Sequence, residues 1–155
     1  MKFKSFLLTL LVASLKFILF PLLFIYLNSL FNLPVFSNIA LKIIGILLIV
    51  AGIAIFSYCF GLFKIFGKGT PVPIEPPKEL VIQGIYKYTR NPMYMVYMLI
   101  LYGEFFILGE LLLLLYAIIF MLVVHLLVVF WEEKTLQKRF GESYKNYCKK
   151  VPRWL

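Results

Sequence analysis

Two short polar strings, Arg90-Asn91-Pro92-Met93-Tyr94 and Glu132-Glu133, each border a long apolar run. Together they hold a guanidinium, an amide, a phenol and two carboxylates. The guanidinium is a fixed cation with a planar fork of donors, and the amide and phenol both donate and accept. Such a set suits a ligand that is cationic and rich in hydroxyls, and Tyr86, Tyr88 and Trp131 add aromatic faces that attract a cation. The two acids are not ordinary helix-surface ion pairs, because Thr135, Leu136 and Gln137 occupy the positions a turn further on. They also stand at the C-terminal end of an apolar helix, where the dipole favours cations. Two readings stay open: Arg90, Lys87 or another loop cation ties the loop to the helix through them, or they hold a ligand.

The elements that must bring these strings together follow from helix signals. Pro92 suits the first position of a helix and Asn91 is a good N-cap, so a helix is predicted from Pro92 to Leu108. A tight turn at Gly109 leads to another helix from about Leu111. A span of roughly 20 residues then ends near Phe130. Trp131, Glu132 and Glu133 would emerge at the membrane face where Arg90 lies.

The chain has 155 residues, of which 63% are hydrophobic. Its mean hydropathy is +0.94, more apolar surface than a soluble core of this size can hide. The net charge of +9 comes from Lys and Arg clustered between apolar runs, a pattern that fits anionic headgroups rather than nucleic acid. Cys59 and Cys148 do not form a disulfide framework, and no Cys/His cluster has metal-site spacing.

Residues 1–31 open on Lys2 and Lys4 and resemble a secretory signal up to Val12-Ala13-Ser14. The apolar run continues too long for one, and predicts a first span kinked at Pro21. A turn over 32–41 contains Pro34, Ser37 and Asn38. A second helix is predicted over Leu41 to Phe66, with Gly45, Ala51, Gly52, Ala54 and Gly61 allowing close helix approach. The segment 67–91 starts stiff and proline-rich, then mixes apolar residues with a turn at Gly84, as if built to fold over something. The tail, Lys134 to Leu155, has an amphipathic start, a break at Gly141 and alternating basic and aromatic residues that suit an interfacial segment on anionic lipid. Inside the spans, Lys16 is expected to face protein or snorkel, Glu104 to pair with Lys16 or Lys42, and His125 to bond another helix. Glu110 is expected to be interfacial. The basic segments all fall on one side, which predicts both termini and the polar site in the cytoplasm.

The string Gly84-Ile85-Tyr86-Lys87-Tyr88-Thr89-Arg90-Asn91-Pro92-Met93-Tyr94 resembles the membrane methyltransferase superfamily of isoprenylcysteine carboxyl methyltransferases and phospholipid methyltransferases. So does Glu132-Glu133-Lys134-Thr135-Leu136, followed by Phe140-Gly141-Glu142-Ser143-Tyr144, Tyr147 and Val151-Pro152-Arg153-Trp154. The resemblance covers about residues 67–155. It implies an all-α polytopic integral membrane protein of about four transmembrane helices, its cytoplasmic loop and C-terminal tail enclosing a cofactor pocket. Residues 1–155 would form one membrane-embedded methyltransferase domain, with two spans in 1–66 and the cofactor-binding core in 67–155. The implied cofactor is S-adenosyl-L-methionine, held by Arg90, Asn91, Pro92, Tyr94, Glu132 and Glu133 and flanked by Val81, Gly84 and Tyr86.

Asn91 stands where eukaryotic members have His, and an amide does not titrate, so it is not a general base. The implied acceptor is lipophilic, a prenylcysteine-like carboxylate or a phospholipid-like amine. Arg139 or Arg153 would position a carboxylate, and Glu133 would take a proton from an amine. No metal and no nucleic acid are implied. The alternative is a non-catalytic membrane protein that binds anionic lipid or a partner through its basic tail, although a pure anion binder has no use for Glu132-Glu133. A nicotinamide-dependent reductase is disfavoured because no Gly-rich phosphate turn is present.

Overall fold

The computed structural model describes residues 11–69 and 77–155. Lys2, Lys4, Pro71, Pro73 and Pro76 lie outside the described residues. Five helical elements follow in order: α1 (Leu11–Leu30), α2 (Ile39–Phe66), α3 (Pro92–Leu108), α4 (Leu111–Leu127) and α5 (Glu133–Lys150), with a π-helical stretch, Val128–Glu132, joining the last two. Among the described residues the only extended pairing is an isolated bridge between Val35 and Glu110. The runs Leu11–Leu30, Ile39–Phe66 and Leu111–Lys150 are long and apolar enough to cross a membrane. Helix α3 is apolar too, but its 17 residues reach only about 25 Å, just short of a bilayer core of ~30 Å. Ile39, Leu47, Ile65, Ile119 and Leu122 are exposed along these helices, as lipid-facing residues must be. The chain is an all-α polytopic membrane protein.

Helix boundaries follow local chemistry. Asn38 accepts the Leu41 N–H on its Oδ1 at 2.9 Å, so α2 starts at Ile39, two residues before the expected position. The irregularity expected at Pro21 appears as a π-helical stretch, Leu15–Leu19, immediately before it. Proline withholds one N–H from the preceding turn, and a wider turn is one way the ladder adjusts.

The chain divides into two compact units. The first comprises described residues 11–53 and 96–121. Here α2 and α3 meet through glycine: a Cβ on Gly103 would stand 2.6 Å from Ile49 Cγ1 and 2.9 Å from the Gly45 carbonyl. The buried Asn28 amide serves two helix ends, donating to Leu33 O at 3.2 Å and accepting the Leu112 N–H at 3.1 Å. Gly109 adopts φ +76 under the Phe36 backbone, a turn only glycine makes without strain. Lys16 lies with its ammonium 5.2 Å from the Tyr97 ring centroid and 5.8 Å from that of Phe120. Its expected pairing with Glu104 does not form. Glu104 Oε2 is buried without a hydrogen-bond partner, and so is Glu110 Oε2.

The second unit comprises described residues 54–69, 77–95 and 122–155. Its loop does fold over something: Val81 and Tyr86 close a core with Cys59 and Leu62 of α2. Residues 54–66 therefore group with the loop in this unit. Gly84, at φ +58, starts a short 3-10 turn, Gly84–Lys87, beneath Tyr58. Gly61, expected to admit a neighbouring helix, has nothing within 4 Å of its Cβ direction. Helix α5 breaks at Gly141 as expected, at φ 55 and ψ −129. The tail aromatics are a correction: Tyr144, Tyr147 and Val151 are buried against Leu80, Leu136 and Phe140, so protein and not lipid covers that face.

Candidate functional site

The start of α3 and the exit of the fourth helix meet in the second unit. Tyr94, in the first turn of α3, donates its hydroxyl to Glu132 Oε2 at 2.5 Å. Arg90 Nη1 lies 2.9 Å from Glu133 Oε1. The π-helical stretch Val128–Glu132 carries the chain out of the apolar run at this point, a feature often found at functional sites.

The C-terminal segment joins them. Arg153 grips Glu133 with a bidentate fork, Nε to Oε1 at 2.8 Å and Nη2 to Oε2 at 2.9 Å. Its backbone carbonyl accepts from the Thr89 hydroxyl at 3.0 Å and from the Asn91 amide at 3.1 Å. The Arg90 N–H donates to Pro152 O at 3.0 Å. Trp154 donates to His125 Nδ1 at 3.1 Å, so the histidine is bonded to the tail rather than to another helix. Tyr147 donates to the carbonyl of Tyr86 at 2.6 Å.

Two adjacent carboxylates thus have different environments. The apolar span ends by Phe130, and both acids lie beyond it. Burial raises the proton affinity of Glu132, the Tyr94 hydrogen bond works against that, and the Glu133 charge adds to it; the net shift is upward. Burial also pushes Glu133 upward, but the hydrogen bond from Arg153 and the charges of Arg90 and Arg153 outweigh it and hold Glu133 below the usual range. The hydrogen bond to Glu133 raises Arg153 in turn. The two adjacent acids are thus pushed in opposite directions, Glu132 up and Glu133 down.

Of the residues singled out in the sequence, Arg90, Asn91, Tyr94, Glu132 and Glu133 come together, with buried Pro92 beneath them. Asn91 occupies the N-cap position and its carbonyl accepts the Met95 N–H, but its side-chain amide turns to the tail. Val81 and Tyr86 lie in the loop core and Gly84 in its turn, so they shape the loop. Arg139 is not brought to the acids. It is exposed, with its guanidinium 5.4 Å from the Phe140 ring centroid. Tyr88 and Trp131 are also exposed. The sequence reading missed Thr89, fully buried, and Cys148, whose Sγ accepts from Arg90 Nη1 at 2.7 Å. Thr89 lay inside the recognised string, but its partner is a backbone carbonyl, which leaves no mark in a sequence.

A model of the phospholipid methyltransferase family matches residues 40–143, more than half of the chain. The chain belongs to the phospholipid methyltransferase family. The match begins well before residue 67, taking in most of α2, and stops short of Val151-Pro152-Arg153-Trp154. Membership places the chain among membrane methyltransferases of the phospholipid or prenylcysteine type. An uncharacterized protein of Haemophilus influenzae is 41% identical over 63 residues, which is 41% of this chain and the whole of that protein. No solved structure matches the chain.

The donor set fits the cofactor that such a family implies. Arg90 Nε is buried with no partner, a donor suited to a ligand carboxylate. Glu132 is bonded by a phenol rather than a cation, which leaves its charge for a cationic or hydroxyl-bearing ligand.

Proposed function

We propose that this protein is an S-adenosylmethionine-dependent methyltransferase acting on a lipophilic acceptor, a prenylcysteine-like carboxylate or a phospholipid-like amine. The observation that carries the reading is the contact of the two family strings, Tyr94 on Glu132 and Arg90 on Glu133. Bound there, S-adenosylmethionine supplies a methyl group on a sulfonium, ready for displacement by a nucleophile. Arg90, Tyr94, Glu132 and Glu133 form the binding surface, while Val81, Gly84, Tyr86, Asn91 and Pro92 hold the loop in shape around it. The contribution of these residues is alignment, which can lower a barrier by several kcal/mol and by roughly 7–11 in ideal cases.

The acceptor decides which further group matters. An amine must lose a proton, and Glu132 takes it more readily than Glu133. A carboxylate is already ionised and needs a cation beside it. Arg153 stands beside Glu133 and is the cation nearest that role, whereas Arg139 lies exposed against Phe140. The basic loop and tail favour a cytoplasmic site, with both termini on that side. Residues 1–155 then act as one catalytic domain, with 67–155 forming the cofactor-binding core.

Calorimetric titration of the purified protein with S-adenosylhomocysteine tests the reading. Binding that Glu132→Gln weakens supports it, and a folded protein that takes up no ligand overturns it. Incubating membranes with labelled S-adenosylmethionine then identifies the acceptor as lipid or protein. The alternative, a non-catalytic lipid binder, predicts that tail Lys-to-Gln changes abolish the cellular role while Glu132→Gln leaves it intact.

A further inference from the structure

A groove of about 410 Å³ runs along α5, lined by Lys134, Gln137, Lys138, Gly141 and Lys145. These residues recur at helical spacing, so they share one face up to the break at Gly141. The other side of the tail is already in use: Leu136, Phe140, Tyr144 and Tyr147 belong to a core with Val151 and Leu80. An amphipathic helix usually meets a bilayer with its apolar face. Here that face is filled by protein, and the face left over is cationic.

The groove also has a definite place along the chain. Lys134 follows Phe130, the end of the apolar span, by one helical turn, and its Nζ lies 5.9 Å from the Phe130 ring centroid. Phe130 and Trp131 are both exposed, at 63% and 66%. Exposed aromatics where a span ends mark the headgroup level of a bilayer. Cations one turn beyond that level face phosphate oxygens. Lys145 is paired with Glu142 at 2.5 Å, and Lys134 and Lys138 leave the groove an excess of positive charge.

We propose that this groove binds the headgroup of an anionic phospholipid. Lys134 and Lys138 contact the phosphate, Lys145 closes the far side across the Gly141 break, and Phe130 and Trp131 lie along the upper acyl chains. None of its lining residues takes part in the contacts of Tyr94, Arg90 and Arg153 with the two acids, and it needs no methyl transfer to operate. Its occupant is a resident lipid rather than a soluble phosphate, because the aromatic pair offers nothing to a ligand without acyl chains.

The test is native mass spectrometry of the full-length protein in detergent, titrated separately with phosphatidylglycerol, phosphatidylcholine and glycerol 3-phosphate. Phosphatidylglycerol is expected to bind first and about tenfold more tightly than phosphatidylcholine. In the Lys134→Gln/Lys138→Gln/Lys145→Gln variant that preference should fall to near unity. Lys138→Glu, a single change at an exposed position, serves if the triple variant does not fold, and should lower the preference severalfold. About 0.5 M salt should erode the preference in the unaltered protein. Equal affinity for the two lipids, or a preference that survives these substitutions, overturns the proposal. Glycerol 3-phosphate binding as tightly as phosphatidylglycerol overturns it as well, by assigning the groove to a soluble anion. Because the readout is lipid binding, failure here leaves the S-adenosylhomocysteine titration unaffected.

Discussion

The two compact units treat carboxylates differently. In the first, Lys16 rests on aromatic rings, and Glu104 and Glu110 each bury an oxygen with no hydrogen-bond partner. In the second, Glu133 takes three bonds from two arginines, Glu132 takes one from Tyr94, and the Arg153 carbonyl takes two more. The first unit is held chiefly by shape, with Gly45 and Gly103 letting α2 and α3 touch. The second is held by charge and hydrogen bonds that join segments far apart in sequence. A polar network that specific costs desolvation wherever it is built, and it is concentrated where the family motifs lie.

The largest expected effect follows from removing the hub of that network. Glu133→Gln leaves Arg90, nearly buried, and Arg153 facing an uncharged amide. Breaking one partner of such a pair costs about 3–5 kcal/mol when fully buried. Arg153 is about a third exposed, so about 2–3 kcal/mol is expected, discounted for solvent screening. Chemical denaturation in detergent should record that loss, and S-adenosylhomocysteine binding should fall with it.

A change in the first unit should separate fold from ligand. Gly103→Ala places a methyl 2.6 Å from Ile49 Cγ1 and 2.9 Å from the Gly45 carbonyl. Overpacking of this kind costs about 1–3 kcal/mol. The yield of folded protein should drop, while affinity for S-adenosylhomocysteine per folded molecule stays unchanged. A selective loss of affinity would break the division of labour between the units.

How much of this was legible in the sequence depends on what carries each contact. The helices were, because apolar length, Asn38, Pro92, Gly109 and Gly141 are local signals, and α3 starts and stops at the expected residues. That the two polar strings would meet was legible from span length, but the bond between Tyr94 and Glu132 was not. The tail was not. Its alternation of Lys with Tyr resembles a membrane-surface helix, and nothing local shows that Leu80 covers Tyr144 and Tyr147. The backbone carbonyls of Pro152 and Arg153 are acceptors common to every residue type, so their choice of Arg90, Thr89 and Asn91 depends on the fold. Glu104 failed as a predicted partner of Lys16 because Tyr97 and Phe120 offered the ammonium their rings.

Smaller effects sharpen the contrast within the second unit. Tyr94→Phe removes one hydrogen bond to a half-buried carboxylate, worth about 1–2 kcal/mol, and should weaken S-adenosylhomocysteine binding by about tenfold. Acid should act in two stages. Glu132, raised by burial, protonates first; its neutral form costs less to bury, so stability does not fall, but affinity for a cationic ligand does. Glu133 is depressed, so its stabilisation is complete above the usual glutamate value of about 4.3 and is lost only as pH falls through its lower folded value. Limited proteolysis of the C-terminal segment should therefore stay slow at pH 5 and accelerate below about 4. Acceleration above pH 5 would mean that the arginines do not hold Glu133.

The smallest expected effect tests the first unit. Glu104→Met keeps the side chain's length and removes a buried oxygen that has no hydrogen-bond partner. An oxygen with nothing to bond contributes no favourable contact, so stability should be unchanged or rise by up to about 1 kcal/mol. Methyl transfer from labelled S-adenosylmethionine should continue at the unaltered rate if the chemistry belongs to the Glu132 network alone. A folded variant that binds S-adenosylhomocysteine normally yet transfers no methyl group would assign Glu104 to the acceptor. An unpartnered oxygen would then be the mark of a ligand's place, and the contrast between the units would be one of cofactor against acceptor rather than of chemistry against packing.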